Sequence, residues 1–170
     1  MFPEDRSKRP DIEMETTALQ WVLSAIGLVS LAASGLFLLD AWNSLPATVY
    51  THFNAYGKPD GTGPRLMIAV MPVLGIVLWT VLGFVIARPR TYNYPVRITP
   101  ENARAQYEIA VGLLHWVRFE VALLMAYLGW AMVEATRQGS ALPFGSFPMF
   151  AGLALTVTVV VGMMRSFRAK

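Results

Sequence analysis

The chain of 170 residues contains no cysteine, which excludes disulfides, thiolate nucleophiles and thiolate metal ligands. Charge is scarce as well: Asp, Glu, Lys and Arg make up 15% of residues against 55% hydrophobic, a balance too apolar for an ordinary soluble domain. Histidine occurs twice, and the two are far apart in sequence, so neither completes a metal set with the other. Nor is there a phosphate-cradling glycine loop or a paired nucleophile and base. The residues thus predict no enzyme, no cofactor and no metal.

What the sequence has instead is long apolar runs: Ala18 to Leu39, Leu66 to Ala87, one within Ile109 to Val133, and Phe147 to Met164. Each is close to the roughly 20 residues that cross a bilayer's hydrocarbon core. The first is too long for a signal-peptide core and closes on no small-residue cleavage pattern, so it reads as a retained anchor. Pro72 in the second predicts a kink that neighbouring helices can satisfy. The fold class expected is therefore an all-α integral membrane protein, a bundle of four transmembrane helices. Its expected division is an N-terminal tail 1–17, helix 18–40, outer loop 41–64, helix 65–88, link 89–99, helix 100–136, outer loop 137–146, helix 147–166 and tail 167–170.

Positive charge sets the expected orientation. Arg6, Lys8, Arg9, Arg88, Arg90, Arg97, Arg104, Arg165, Arg168 and Lys170 fall on one side; Lys58, Arg65 and Arg137 fall on the other. Both termini are then cytoplasmic in a bacterial cytoplasmic membrane, and the 41–64 loop faces outward. The net charge of +3 reads as a topology signal with no nucleic-acid partner, because the basic residues hug membrane edges and form no run. Thr99 as N-cap, Pro100 and Glu101 start the third helix near residue 100. At 1.5 Å per residue it spans about 55 Å, so its first turns project into the cytoplasm.

The loop "LPATVYTHFNAYGKPDG" holds unusual chemistry for a connection between apolar spans. "TVYTHF" is β-prone, enough for an extended segment but not for a sheet, and Gly57 to Gly61 reads as a tight turn. His52 with Asp60 and Asn54 is the candidate recognition or ligand set. The simpler reading is that these side chains bond loop groups and fix an ordered cap on the bundle, with Phe53 turned onto the helix ends. On that reading His52→Ala is expected to cost about 1 to 3 kcal/mol.

Pro46, His52-Phe53-Asn54, Gly57 and Pro59-Asp60, preceded by Leu45, resemble the "LP…HFN..G.PD" signature of the bacterial membrane family known as domain of unknown function 1648. "NYPVRITPENARAQY" is similar to a second stretch of that family, and together the two cover roughly residues 18 to 135. The resemblance implies the N-terminal domain of toxin-immunity proteins of the SdpI type. The further membrane domain of the longer members, with its Gly-Tyr-Arg motif, is not expected here.

Inside the third span lie His115, Arg118 and Glu120, and ionisable groups at membrane depth are candidate functional groups. His115 and Arg118 share a helix face near the inner interface, where Arg118 can snorkel. Glu120 is turned about 200° from Arg118 at ~100° per residue. It therefore needs a partner from another helix, and Arg88, Arg90, Arg165 or Arg168 can supply one.

Two functions are expected. The first is a small interaction protein, an accessory, immunity or sensing subunit that binds a partner protein or peptide, or its own copies, through the outer loop or helix faces. The alternative is an oligomeric transporter component using Glu120 and His115. The bilayer is a partner in either case.

Overall fold

The computed structural model describes residues 6–169; the parts of the expected tails at 1–5 and 170 lie outside them. Four α-helices are present, α1 (Ala18–Ala41), α2 (Val70–Ile86), α3 (Ala103–Gln138) and α4 (Phe147–Arg168), with a hairpin of β1 (Thr48–Phe53) and β2 (Pro59–Pro64) between α1 and α2. All four helical segments are long and apolar enough to cross a membrane, which makes the protein membrane-integral. α3 is the hub: α1, α2 and α4 each pack along it, whereas α1 and α2 meet each other only along a short seam.

Local chemistry explains the ends. Thr17 and Gln20 form a reciprocal capping box that starts α1. Thr99 and Asn102 exchange the same kind of bonds ahead of α3, and the Ala103 N–H already reaches the Thr99 carbonyl. The regular helix nevertheless begins at Ala103, three residues later than expected, because Thr99 to Asn102 make up the capping turn. Gly139, in the left-handed conformation at φ 61°, ends α3. Residues Arg65–Ala69 are a 3-10 helix, so Pro72 sits in the first α-helical turn of α2. There its missing N–H costs little, which is why no mid-span proline break was needed.

Close approach of the helices rests on small residues. A Cβ on Gly75 would lie 2.4 Å from Leu31 Cδ2 and 2.9 Å from Met125 Cβ, and one on Gly129 would lie 2.6 Å from Ser34 Oγ. These contacts bring α1, α2 and α3 together around Leu31, Ala122 and Ala126, with Trp79 and Met125 packed against them. Gly162 of α4 likewise accommodates Leu113, but Gly35 and Gly152 have no heavy atom nearby.

The loop departs from expectation in two ways. β1 does form a sheet, pairing antiparallel with β2 from Thr48 opposite Pro64 to Phe53 opposite Pro59. The partner strand is "PDGTGP", which has no β-prone residues beyond Thr62. Backbone pairing and the absence of side chains on Gly61 and Gly63, which sit against His52 and Thr51, admit it as an edge strand. The turn accordingly lies at Asn54 to Lys58, ahead of the expected Gly57 to Gly61.

The two ends of the molecule are chemically distinct. Arg6, Arg9, Arg90, Arg104 and Arg165 gather at the end where the α1 and α3 N-termini meet the α2 and α4 C-termini; Lys58, Arg65 and Arg137 lie at the hairpin end.

Candidate functional site: a hairpin cap and an inner cavity

The hairpin closes its end of the bundle. Val49 and Leu45 are buried with Leu38, Ala41, Ile68, Met132 and Val133, and Phe53 packs against this group and against the Ala131, Ala135 and Leu142 cluster beyond it. Arg65 ties the base: its Nη1 donates to the Trp42 and Leu45 carbonyls, and its guanidinium lies over the Trp42 ring at 4.6 Å. Pro46 follows Leu45 at the exit from α1.

At the tip, Asn54 Oδ1 accepts from the Tyr56 and Lys58 N–H groups, and the Asn54 N–H donates to the Lys58 carbonyl. This side-chain-braced turn sets Gly57 at φ 72°. Gly57 is buried against Gly145, and its carbonyl accepts from the Leu142 N–H at 2.8 Å, which docks the tip on the loop between α3 and α4.

His52 Nδ1 meets Asp60 Oδ1 across the hairpin at 2.5 Å, with the side chains 73% and 44% exposed. Such an exposed pair contributes about 0 to 1 kcal/mol, less than the 1 to 3 expected, because His52 points to solvent and not into the loop. Pro59 and Asp60 are residues of β2. No group of three or more His, Asp or Glu side chains with metal-binding spacing occurs among the described residues.

The opposite end of the bundle holds a cavity of about 1130 Å³. Its depth is formed by His115 and Arg118 of α3, its sides by Trp21, Ser24 and Leu28 of α1 and by Trp79 and Gly83 of α2, and its mouth by residues 11–16 and 88–91. Arg118 is 9% exposed and His115 6%. Arg118 is held against α2: its Nε donates to the Trp79 carbonyl at 2.7 Å and its guanidinium lies 3.4 Å from the Trp79 ring centroid. His115 Nδ1 faces Ser24 Oγ at 3.3 Å.

Around the mouth Tyr92, Tyr94 and Tyr107 stack in series, Arg9 lies over Tyr94, and burial pushes the Tyr92 and Tyr94 hydroxyls above their ordinary range. Arg9 also donates to the Arg90 and Tyr92 carbonyls, which fixes the N-terminal segment over this end.

Glu120 is elsewhere. It lines a separate groove with Thr158 and Gly162 of α4, where Thr158 Oγ1 donates to its Oε1 at 2.7 Å. The expected arginine partner is corrected to this hydroxyl; Arg165 lines the same groove without pairing to it, and Arg90 pairs with Asp11. Its Oε2 is buried and has no hydrogen-bond partner among the described residues. The structure thus brings His115 and Arg118 together and sets Glu120 apart from both.

Two residues of the cavity gave no sequence signal of their own: Trp79 reads as packing, and nothing in the sequence singles out Gly83. Only their neighbours in space reveal them.

Residues 28–76 match the family model described as Domain of unknown function (DUF1648). That segment takes in the C-terminal half of α1, the whole hairpin and the first turns of α2; the resemblance expected from about 18 to 135 is found over this narrower range, and "NYPVRITPENARAQY" lies beyond it. No curated protein and no solved structure matches the chain.

Proposed function

We propose that this protein, whose residues 28–76 carry domain of unknown function 1648, is a small bacterial membrane interaction protein that receives a partner protein or peptide at its hairpin end. On this reading it sits in the cytoplasmic membrane with both termini inside and the hairpin outside. The ten-to-three division of basic residues between the two ends supports that orientation.

One observation carries the reading. Phe144 has a positive φ of 50°, unusual for a bulky residue, and its side chain is 79% exposed. Backbone strain that displays an aromatic ring in place of burying it points to recognition. The strain is held in place: Tyr127 Oη donates to the Pro143 and Phe144 carbonyls, and the Phe147 N–H donates to the Phe144 carbonyl. Tyr56, 83% exposed, adjoins it on the hairpin tip. Two rings on a braced surface lose little conformational freedom on binding. A transporter path through Glu120 and His115 has weaker support, since the two residues line different cavities.

The test is photo-crosslinking in cells from an unnatural side chain at Tyr56 or Phe144, with Leu153, an exposed residue on the flank of α4, as the lipid-facing control. One adduct of fixed mass from the first two positions, weakened by alanine at the other ring, is the expected result. Adducts no different from those at Leu153 would remove the proposal.

A further inference from the structure

The Arg118 guanidinium lies between Trp79 and Gly83 of α2, about 5 to 10 Å inside the end of that helix, since these residues precede Ile86 by one to two helical turns. It is buried, and its Nε is bound to the Trp79 carbonyl. No ion pair joins it to any carboxylate among the described residues, and the residue lines the cavity. A cation held at that depth without a counter-charge is expensive, and stacking on Trp79 offsets only part of the cost. Gly83 gives the guanidinium room against α2: a Cβ there would lie 2.9 Å from Nη2 and push the end of the arginine side chain aside.

From this arrangement we propose that the inner cavity is a binding site for an anionic lipid, whose phosphate sits on the Arg118 Nη groups with His115 beside it. The acyl chains leave through the seam between α1 and α2. His115 Nδ1 is occupied by Ser24, which leaves Nε2 to face the ligand. The size and walls of the cavity argue for an amphiphile over a free anion. About 1130 Å³ is far more than a phosphate fills, and Trp21, Leu28 and Trp79 offer apolar surface along the way out. The aqueous mouth also carries the carboxylates of Asp11, Glu13 and Glu15, with Arg90 already paired to Asp11. A free anion has to pass these groups, whereas a lipid arrives sideways from the bilayer.

The experiment is native mass spectrometry of the full chain in mild detergent, titrated with phosphatidylglycerol, phosphatidylcholine or inorganic phosphate. One retained phosphatidylglycerol, preferred at least about tenfold over phosphatidylcholine, is expected. Both Arg118→Gln and Ala25→Trp should lose that preference, the second by filling the cavity with Arg118 intact; if Arg118→Gln does not fold, Ala25→Trp alone decides. Inorganic phosphate competing as well as the lipid would overturn the amphiphile assignment. Equal retention of the two lipids, or preference unchanged in Ala25→Trp, would overturn the site.

Discussion

At the scale of single residues, glycine decides where helices touch, and sequence spacing alone does not say which glycine. Ser30 with Ser34, Ala32 with Gly35, Gly152 with Thr156, and Thr158 with Gly162 all have spacing that permits close approach. Yet Ser30 and Thr156 bond carbonyls of their own helices, and Gly35 and Gly152 face open space. Of these pairs only Ser34 and Gly162 meet another helix, at Gly129 and Leu113, and Gly75, which the spacing did not single out, meets Leu31 and Met125. Gly75→Ala should therefore destabilise the protein by about 1 to 3 kcal/mol, as overpacking does, and lower its melting temperature in detergent. Gly35→Ala should leave that temperature nearly unchanged; equal effects at both positions would contradict the packing of α1, α2 and α3. Residue chemistry was legible where it is local, as at Thr99, Asn54 and the His52 to Asp60 pair. It was not legible where the partner comes from another helix, as for Arg118 on Trp79 or Glu120 on Thr158.

At the scale of elements, the four spans were readable because a run of apolar residues has few other stable outcomes. The hairpin was only half readable: β1 has a β-prone sequence, and β2 owes its conformation to pairing with it. The joint between α3 and α4 was not readable at all. Gln106 is fully buried, its Nε2 donates to the Ser166 and Ala169 carbonyls at 2.9 and 2.8 Å, and its Oε1 accepts from Ser166 Oγ. One side chain thus satisfies carbonyls that the end of α4 leaves open. Gln106→Glu keeps the shape but removes both donors and sets a carboxylate against two carbonyls. A loss of about 2 to 3 kcal/mol is expected, seen as early proteolysis near Arg168 before the rest of the chain yields. Cleavage at the wild-type rate would show that packing along α3 holds α4 without this clamp.

At the scale of the whole molecule, fold and orientation rest on different physics. The fold follows from burying backbone polar groups within helices. Orientation follows from the cost of moving Lys and Arg across the membrane during insertion, a cost that leaves its mark only in where those residues end up. Arg6, Lys8 and Arg9 share an end with Arg88, Arg90, Arg97, Arg104, Arg165 and Arg168, while the hairpin end has Lys58, Arg65 and Arg137. The long α3 fits this assignment. Its first turns, where Arg104 and Glu108 pair at 3.6 Å with both side chains exposed, lie at the basic end. Because the chain has no cysteine, single substitutions report without background. A cysteine at Ala55, on the hairpin tip, should react with a membrane-impermeant maleimide on intact cells. One at Ala105, at the basic end, should react only after permeabilisation. The reverse pattern would invert the protein, place the hairpin and its displayed rings in the cytoplasm, and move the search for a partner to that side.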